Sequence, residues 1–142
     1  MRGRWLLIIL LAFLCCSCAT CRNDALRQAE ILACNDKPSR VAVYYIGAGD
    51  QALDLWMHDR HAQAQTLVAG KWLWIGNSSG EIEDKPEKDL VPVNGNDYLF
   101  YSPDEFRAYL RAENLEPEKL PCEQLLKKGF PWKTMLLILL LV

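Results

Sequence analysis

Four cysteines stand close together near the start of the chain, at Cys15, Cys16, Cys18 and Cys21. The spacing C-C-x-C-x-x-C is one in which thiolates bind zinc or copper(I). A second interpretation needs no metal, because cysteine is small and small residues suit the cleavage site of a signal peptidase. We favour the second interpretation, since cleavage here would remove Cys15 and Cys16. We therefore expect no metal ion and no cofactor.

A group of acidic residues and histidines in the middle of the chain is the other metal-like pattern. Asp54 and His58 would share one face of a strand, and His61 would reach the same ion from the turn that follows. The alternative is a solvated hairpin tip, which we favour. The sequence contains no motif of a serine hydrolase, a zinc protease or a phosphate loop, so a metal-dependent hydrolase is the weaker hypothesis and we expect no enzyme.

The residues around the cysteines have the layout of a secretory signal. Arg2 and Arg4 are basic, and residues 5–14 form an apolar run that is too short for a membrane span. The stretch resembles a bacterial lipoprotein precursor, in which a cysteine that follows small residues is acylated. The resemblance implies a signal peptide at 1–18 and lipidation of Cys18, with Cys21 as the alternative. Ordinary cleavage after Ala19, or an uncleaved anchor, are the competing interpretations.

The same resemblance implies a location. In the family, Asp after the lipidated cysteine retains the protein at the inner membrane, whereas Ala19 follows Cys18 here. We therefore expect a lipid anchor in the outer membrane, with the domain facing the periplasm. Two or more acyl chains would make that attachment stable.

Two cysteines lie beyond the signal, and an exported protein meets an oxidising environment. The first prediction is a disulfide between Cys34 and Cys122. If Cys18 carries the lipid, Cys21 is left over, and a Cys21–Cys34 bridge becomes a rival pairing.

Composition limits the partners. The chain has 142 residues, with 16 Lys and Arg against 18 Asp and Glu. The sequence has no basic patch of the kind that binds nucleic acid, so we expect no nucleic-acid partner. The length allows one domain with a modest core, which we place at residues 19–142.

The aromatic residues are the best indication of a binding site. In a strand at residues 71–75, Trp72 and Trp74 would share one face, and Tyr44 and Trp56 would join it. We expect a helix that starts at Pro103 to cover this face. If that helix packs elsewhere, these four aromatic residues would form a platform for a protein partner or a glycan.

The elements that position these residues follow from periodicity and turn signals. We expect a helix at residues 23–33 and an antiparallel meander of strands at 40–46, 52–58, 65–68 and 71–75, with a polar reversal at 58–61. A helix over 50–64 is the alternative. Residues 77–89 read as an exposed loop, and 90–93 and 98–101 as a hairpin around Asn-Gly.

The C-terminal third is helical in its pattern. Ser102, Pro103 and Glu105 form the signature of a capping box, and Phe106, Tyr109 and Leu110 form an apolar stripe. A last helix is expected at 121–128. The apolar tail, residues 135–142, suits either a buried strand or a membrane contact.

Together these patterns predict an α+β fold, with a small antiparallel sheet and two or three packed helices after an N-terminal signal helix. The predicted function is that of a small lipoprotein of the bacterial envelope which binds a protein partner and is not an enzyme. An immunity or accessory protein for a toxin or a secretion component fits this class. The alternative is a structural envelope protein whose two apolar ends both touch membrane.

Overall fold

The computed structural model describes residues 21–46, 59–91 and 97–127. These residues form an antiparallel sheet with helices packed on it, so the predicted α+β fold is confirmed. In chain order the elements are α1 (residues 21–34), β1 (Ser39–Ile46), β2 (Asp59–Val68), β3 (Lys71–Ile75), β4 (Ile82–Glu83), β5 (Leu99–Tyr101), α2 (Pro103–Ala112) and α3 (Cys122–Lys127).

The five strands lie in the order β4-β3-β2-β1-β5, and every pair of neighbours is antiparallel. β1 to β4 form an antiparallel meander, in which β1, the C-terminal part of β2 and β3 correspond to the strands predicted at 40–46, 65–68 and 71–75. The strand expected at 52–58 lies outside the described residues. β4 falls within the segment that was predicted to be a loop.

The polar reversal predicted at 58–61 is wrong, because β2 already begins at Asp59 and pairs with β1 from Asp59 to Thr66. Along β2, the small side chains of Ala62 and Ala64 alternate with the polar side chains of His61, Gln63 and Gln65. This alternation has the period of a strand. Small and polar side chains are also common in loops, so the sequence of this segment does not distinguish a strand from a loop.

The structure describes the predicted hairpin at 90–101 only in part. β5 pairs with β1, through Ala42 opposite Phe100, and Leu90 forms a single bridge with Ile46. Among the described residues, no ladder joins residues 90–91 to β5, and residues 92 and 93 of the other expected strand lie outside the described part of the chain. The Asn-Gly turn itself lies outside the described residues.

The main core lies between one face of the sheet and the two longer helices. Val41 and Val43 of β1 pack in this core with Phe106 and Leu110 of α2. The prediction that α2 covers the tryptophan face is therefore wrong: α2 lies on the aliphatic face. Alanines on α1 bring that helix close to the same face, and the cluster consists of Ala25, Leu26, Ala29, Leu32, Val41, Val43, Ala62, Ala64, Ile75, Phe106 and Leu110.

The start of α2 is as predicted. The side chain of Ser102 accepts a hydrogen bond from the backbone of Glu105, and the carboxylate of Glu105 accepts one from the backbone of Ser102. This reciprocal pair satisfies two backbone N–H groups at the helix start.

A disulfide joins Cys34 to Cys122, with 5.6 Å between the Cα atoms. The first predicted pairing is confirmed, and the rival Cys21–Cys34 bridge is wrong. The bond ties the end of α1 to the start of α3 across 88 residues of sequence. Among the described residues, no helix has the length and apolar character needed to cross a membrane.

Candidate binding surface

The second face of the sheet carries three of the four predicted aromatic site residues, Tyr44, Trp72 and Trp74, and two of these are buried. Tyr44 and Trp74 are almost inaccessible to solvent and pack with Ala42 in a small second core. The ring centroids of Tyr44 and Trp74 lie 5.9 Å apart, and Tyr98 lies 5.1 Å from Tyr44. These rings stabilise the sheet, and their burial keeps them from direct contact with a partner.

A hydrogen-bond network holds this second core in place. The amide oxygen of Gln63 accepts from the hydroxyl of Tyr44 at 3.2 Å and from the backbone N–H of Glu87 at 3.0 Å. The amide nitrogen of Gln63 donates to the carbonyl of Ile75 at 3.0 Å. Burial raises the pKa of Tyr44 well above its usual value, so its hydroxyl stays protonated and can donate.

His61 belongs to this network. Its Nε2 lies 3.6 Å from a carboxylate oxygen of Glu87 and 3.4 Å from the side-chain nitrogen of Asn77. The other residues of the metal-like group, Asp54 and His58, lie outside the described residues. Within residues 21–46, 59–91 and 97–127, no three His, Cys, Asp or Glu side chains are placed to hold a metal ion.

Next to the buried rings, an arginine is stacked between two aromatic side chains. The guanidinium carbon of Arg40 lies 4.1 Å from the ring centroid of Trp72 and 3.8 Å from that of Phe100. Its Nε donates to the amide oxygen of Gln65 at 2.8 Å. The stack combines side chains of β1, β3 and β5, because the strand register brings Arg40 opposite Gln65 and Ala42 opposite Phe100.

This geometry fixes the direction of the guanidinium. A cation over an aromatic face is attracted by the negative charge of the ring face. Partial burial between the two rings lowers the pKa of Arg40 from its usual value, and the side chain remains a cation at neutral pH. Arg40 therefore presents a positioned positive charge on the sheet.

The neighbouring strand, β5, is the outermost strand on this side of the described sheet. Leu99 is 51% exposed and Phe100 is 45% exposed, on opposite faces of the strand. The backbone N–H and C=O groups of an edge strand can pair with another chain, and exposed apolar side chains favour such pairing. We call Arg40, Trp72, Leu99 and Phe100 the β5 edge surface.

Of the predicted partner-binding residues, the structure places Trp72 in the β5 edge surface, where it is half-buried. Trp56 lies outside the described residues, as does Cys18. Cys21 is half-buried at the start of the described part of α1. Sequence reasoning missed Arg40 and Phe100 as site residues, although both lie within predicted strands, at 40–46 and 98–101.

Comparisons with protein-family models, with curated proteins and with solved structures find no match to this chain. A functional assignment therefore depends on the geometry of the molecule and on its sequence.

Proposed function

We propose that the protein is a small lipoprotein of the bacterial envelope that binds a protein partner and performs no catalysis. The observation that carries the proposal is the β5 edge surface. The other large apolar side chains of the described strands are buried or half-buried, whereas Leu99 and Phe100 are exposed beside the positioned charge of Arg40. An apolar patch around one cation is typical of a protein interface.

The mode of binding that fits this surface is addition of a strand. An extended segment of the partner would pair with the backbone of β5, and its alternate side chains would contact Leu99 on one face and Phe100 on the other. Backbone hydrogen bonds supply affinity in this mode, and side-chain contacts supply specificity.

Arg40 favours a partner segment that carries a negative charge. Its Nε donates to Gln65, while neither terminal nitrogen has a hydrogen-bond partner among the described residues. A guanidinium presents these nitrogens as a fork that binds a carboxylate in two places. The partner segment is therefore apolar, extended and acidic at the position opposite Arg40.

The anchor completes the proposal. Acylation of Cys18, or of Cys21, holds the domain on the periplasmic side of the outer membrane. Ala25 is fully buried in the main core, so the folded domain begins within a few residues of either cysteine. A short tether of this kind suits an immunity or accessory protein that meets a toxin or a secretion component at the membrane.

Mass spectrometry of the membrane fraction tests the anchor. We expect a diacylglyceryl-modified cysteine at the N-terminus of the mature chain, at Cys18 or at Cys21. Substitutions Cys18→Ser and Cys21→Ser, made separately, identify the acylated position, because only one of them will release the protein from membranes. A soluble product that begins at Thr20 would contradict the anchor.

Photocrosslinking in intact cells tests the binding surface. A photoreactive residue at position 100 is compared with one at position 126, because Phe100 and Leu126 are equally exposed, at 45%. We expect one discrete adduct with a protein at position 100, and loss of that adduct when Arg40→Glu is added. Equal adducts at both positions, or none at position 100, would contradict the proposed surface.

A further inference from the structure

A cavity of about 180 Å³ lies on the other side of β5, against the aliphatic face of the sheet. It is separate from the stack of Arg40 because Leu99 and Tyr101 point to one face of β5 and Phe100 to the other. The residues that give the cavity its chemistry are Tyr45, Arg60, Asp97, Leu99, Tyr101 and Tyr109.

Arg60 is held in a fixed position in the wall of this cavity. Its Nε donates to the hydroxyl of Tyr45 at 3.1 Å, and its Nη1 donates to the hydroxyl of Tyr109 at 2.9 Å. Nη1 also lies 3.4 Å from a carboxylate oxygen of Glu113. The hydrogen bonds to the two tyrosines raise the pKa of Arg60, which therefore stays charged.

One part of this guanidinium remains available. Nη2 has no hydrogen-bond partner among the described residues, and the side chain of Arg60 is 42% exposed. Because Nε and Nη1 are fixed by their partners, the open nitrogen loses little freedom when a ligand binds. A preorganised donor of this kind increases affinity.

The charges around the cavity nearly balance. Glu113 lies between Arg22, at 3.5 Å, and Arg60, at 3.4 Å, and Asp97 adds a second carboxylate to the lining. Two cations and two anions do not favour a highly charged ligand. They offer hydrogen-bond donors and acceptors side by side, as a ligand with several hydroxyl groups requires.

The walls of the cavity are aromatic, and its volume matches that of one six-membered ring. Tyr101 and Tyr109 are stacked, with centroids 5.5 Å apart and an angle of 29° between the rings. An apolar cavity of roughly 150 Å³ takes benzene. A cavity of about 180 Å³ therefore admits one six-membered ring with substituents directed at its polar groups.

We propose that this cavity binds one pyranose ring of a glycan. Arg60 donates from Nη2 to a ring hydroxyl, the carboxylate of Asp97 accepts from another, and the tyrosine side chains contact the C–H face of the sugar. The cavity shares Leu99 with the β5 edge surface, whereas Arg40 and Phe100 take no part in it, so substitutions at Phe100 separate sugar binding from partner binding.

Saturation-transfer NMR on the full-length protein in detergent tests the proposal, with methyl glucopyranoside and its 2-acetamido analogue as probes. We expect saturable binding of at least one probe, with a dissociation constant on the order of 1 mM. Arg60→Lys should weaken it about tenfold or more, the loss expected when one charged hydrogen bond is removed. Asp97→Asn should also weaken it, and Phe100→Lys should leave it unchanged within about twofold.

Asp97→Asn should leave the fold intact, because Asp97 is exposed and makes no ion pair among the described residues, so weaker binding by this variant would not result from unfolding. Absence of saturable binding by both sugars would overturn the proposal. So would binding that neither Arg60→Lys nor Asp97→Asn changes. Saturable binding of inorganic phosphate or acetate without sugar binding would overturn it as well, since the cavity would then be an anion site.

Discussion

The guanidinium of Arg107 and the carboxylate of Glu30 form an ion pair inside the interface between α2 and α1. Nη2 of Arg107 lies 2.8 Å from Oε1 of Glu30, and the two side chains are only 5% and 14% exposed. Nη1 of Arg107 also donates to the carbonyl of Pro117 at 2.7 Å. One side chain therefore joins both helices and the segment that follows α2.

Loss of this arginine should be costly. Arg107→Met leaves Glu30 as a buried charge without its partner, which typically costs about 3–5 kcal/mol. The matched control is Arg111→Met, because Arg111 pairs with Glu116 at an exposed position of the same helix. We expect the control to cost about 1 kcal/mol or less. Urea denaturation measures both, and equal losses would contradict the role given to Arg107.

The capping box of α2 should make stability depend on pH. Hydrogen bonds from Ser102 lower the pKa of Glu105 from its usual 4.5. Because the folded pKa lies below the unfolded one, the contribution is complete above pH 4.5 and is lost as the pH falls below that value. Glu105→Gln should therefore destabilise the protein at neutral pH and less so in acid.

Urea denaturation of the wild type and of Glu105→Gln, at about pH 6 and at about pH 3, measures this change. Ser102→Ala should cost about 1 kcal/mol at neutral pH, because it removes the other half of the box. A difference between wild type and Glu105→Gln that grows as the pH falls would contradict the pH dependence.

The disulfide should supply a large share of the stability. It connects residues 88 positions apart, and the chain-entropy model gives roughly 4–5 kcal/mol for such a loop. Dithiothreitol should lower the thermal midpoint of the wild type, and Cys34→Ser with Cys122→Ser should lower it similarly. The reductant should then have no further effect on that double variant. A double variant as stable as the oxidised protein would contradict this contribution.

The sequence predicted those elements whose signals are local. The start of α2 at Pro103 was predictable because the capping box of Ser102 and Glu105 involves only neighbouring residues. β1 and β3 are rich in β-branched and aromatic side chains. The disulfide was predictable because only Cys34 and Cys122 lie well beyond the signal.

Arrangements that need strand register were not predictable. Both faces of the sheet carry apolar residues, so the sequence did not say which one α2 would cover. The amide of Gln63 in β2 is satisfied in its buried position by Tyr44 and Ile75, which lie on neighbouring strands. The stack of Arg40 likewise depends on three strands that are distant in sequence.

The central claim is tested most directly by the dissociation constant between this protein and the partner that crosslinks at position 100. It is measured for the wild type, for Phe100→Lys and for Leu126→Lys, because Phe100 and Leu126 are equally exposed, at 45%. We predict binding at least about tenfold weaker for Phe100→Lys, as expected when a central apolar contact is replaced by a charge, and a value within about twofold of wild type for Leu126→Lys. Equal affinity of all three proteins would contradict binding at the β5 edge surface.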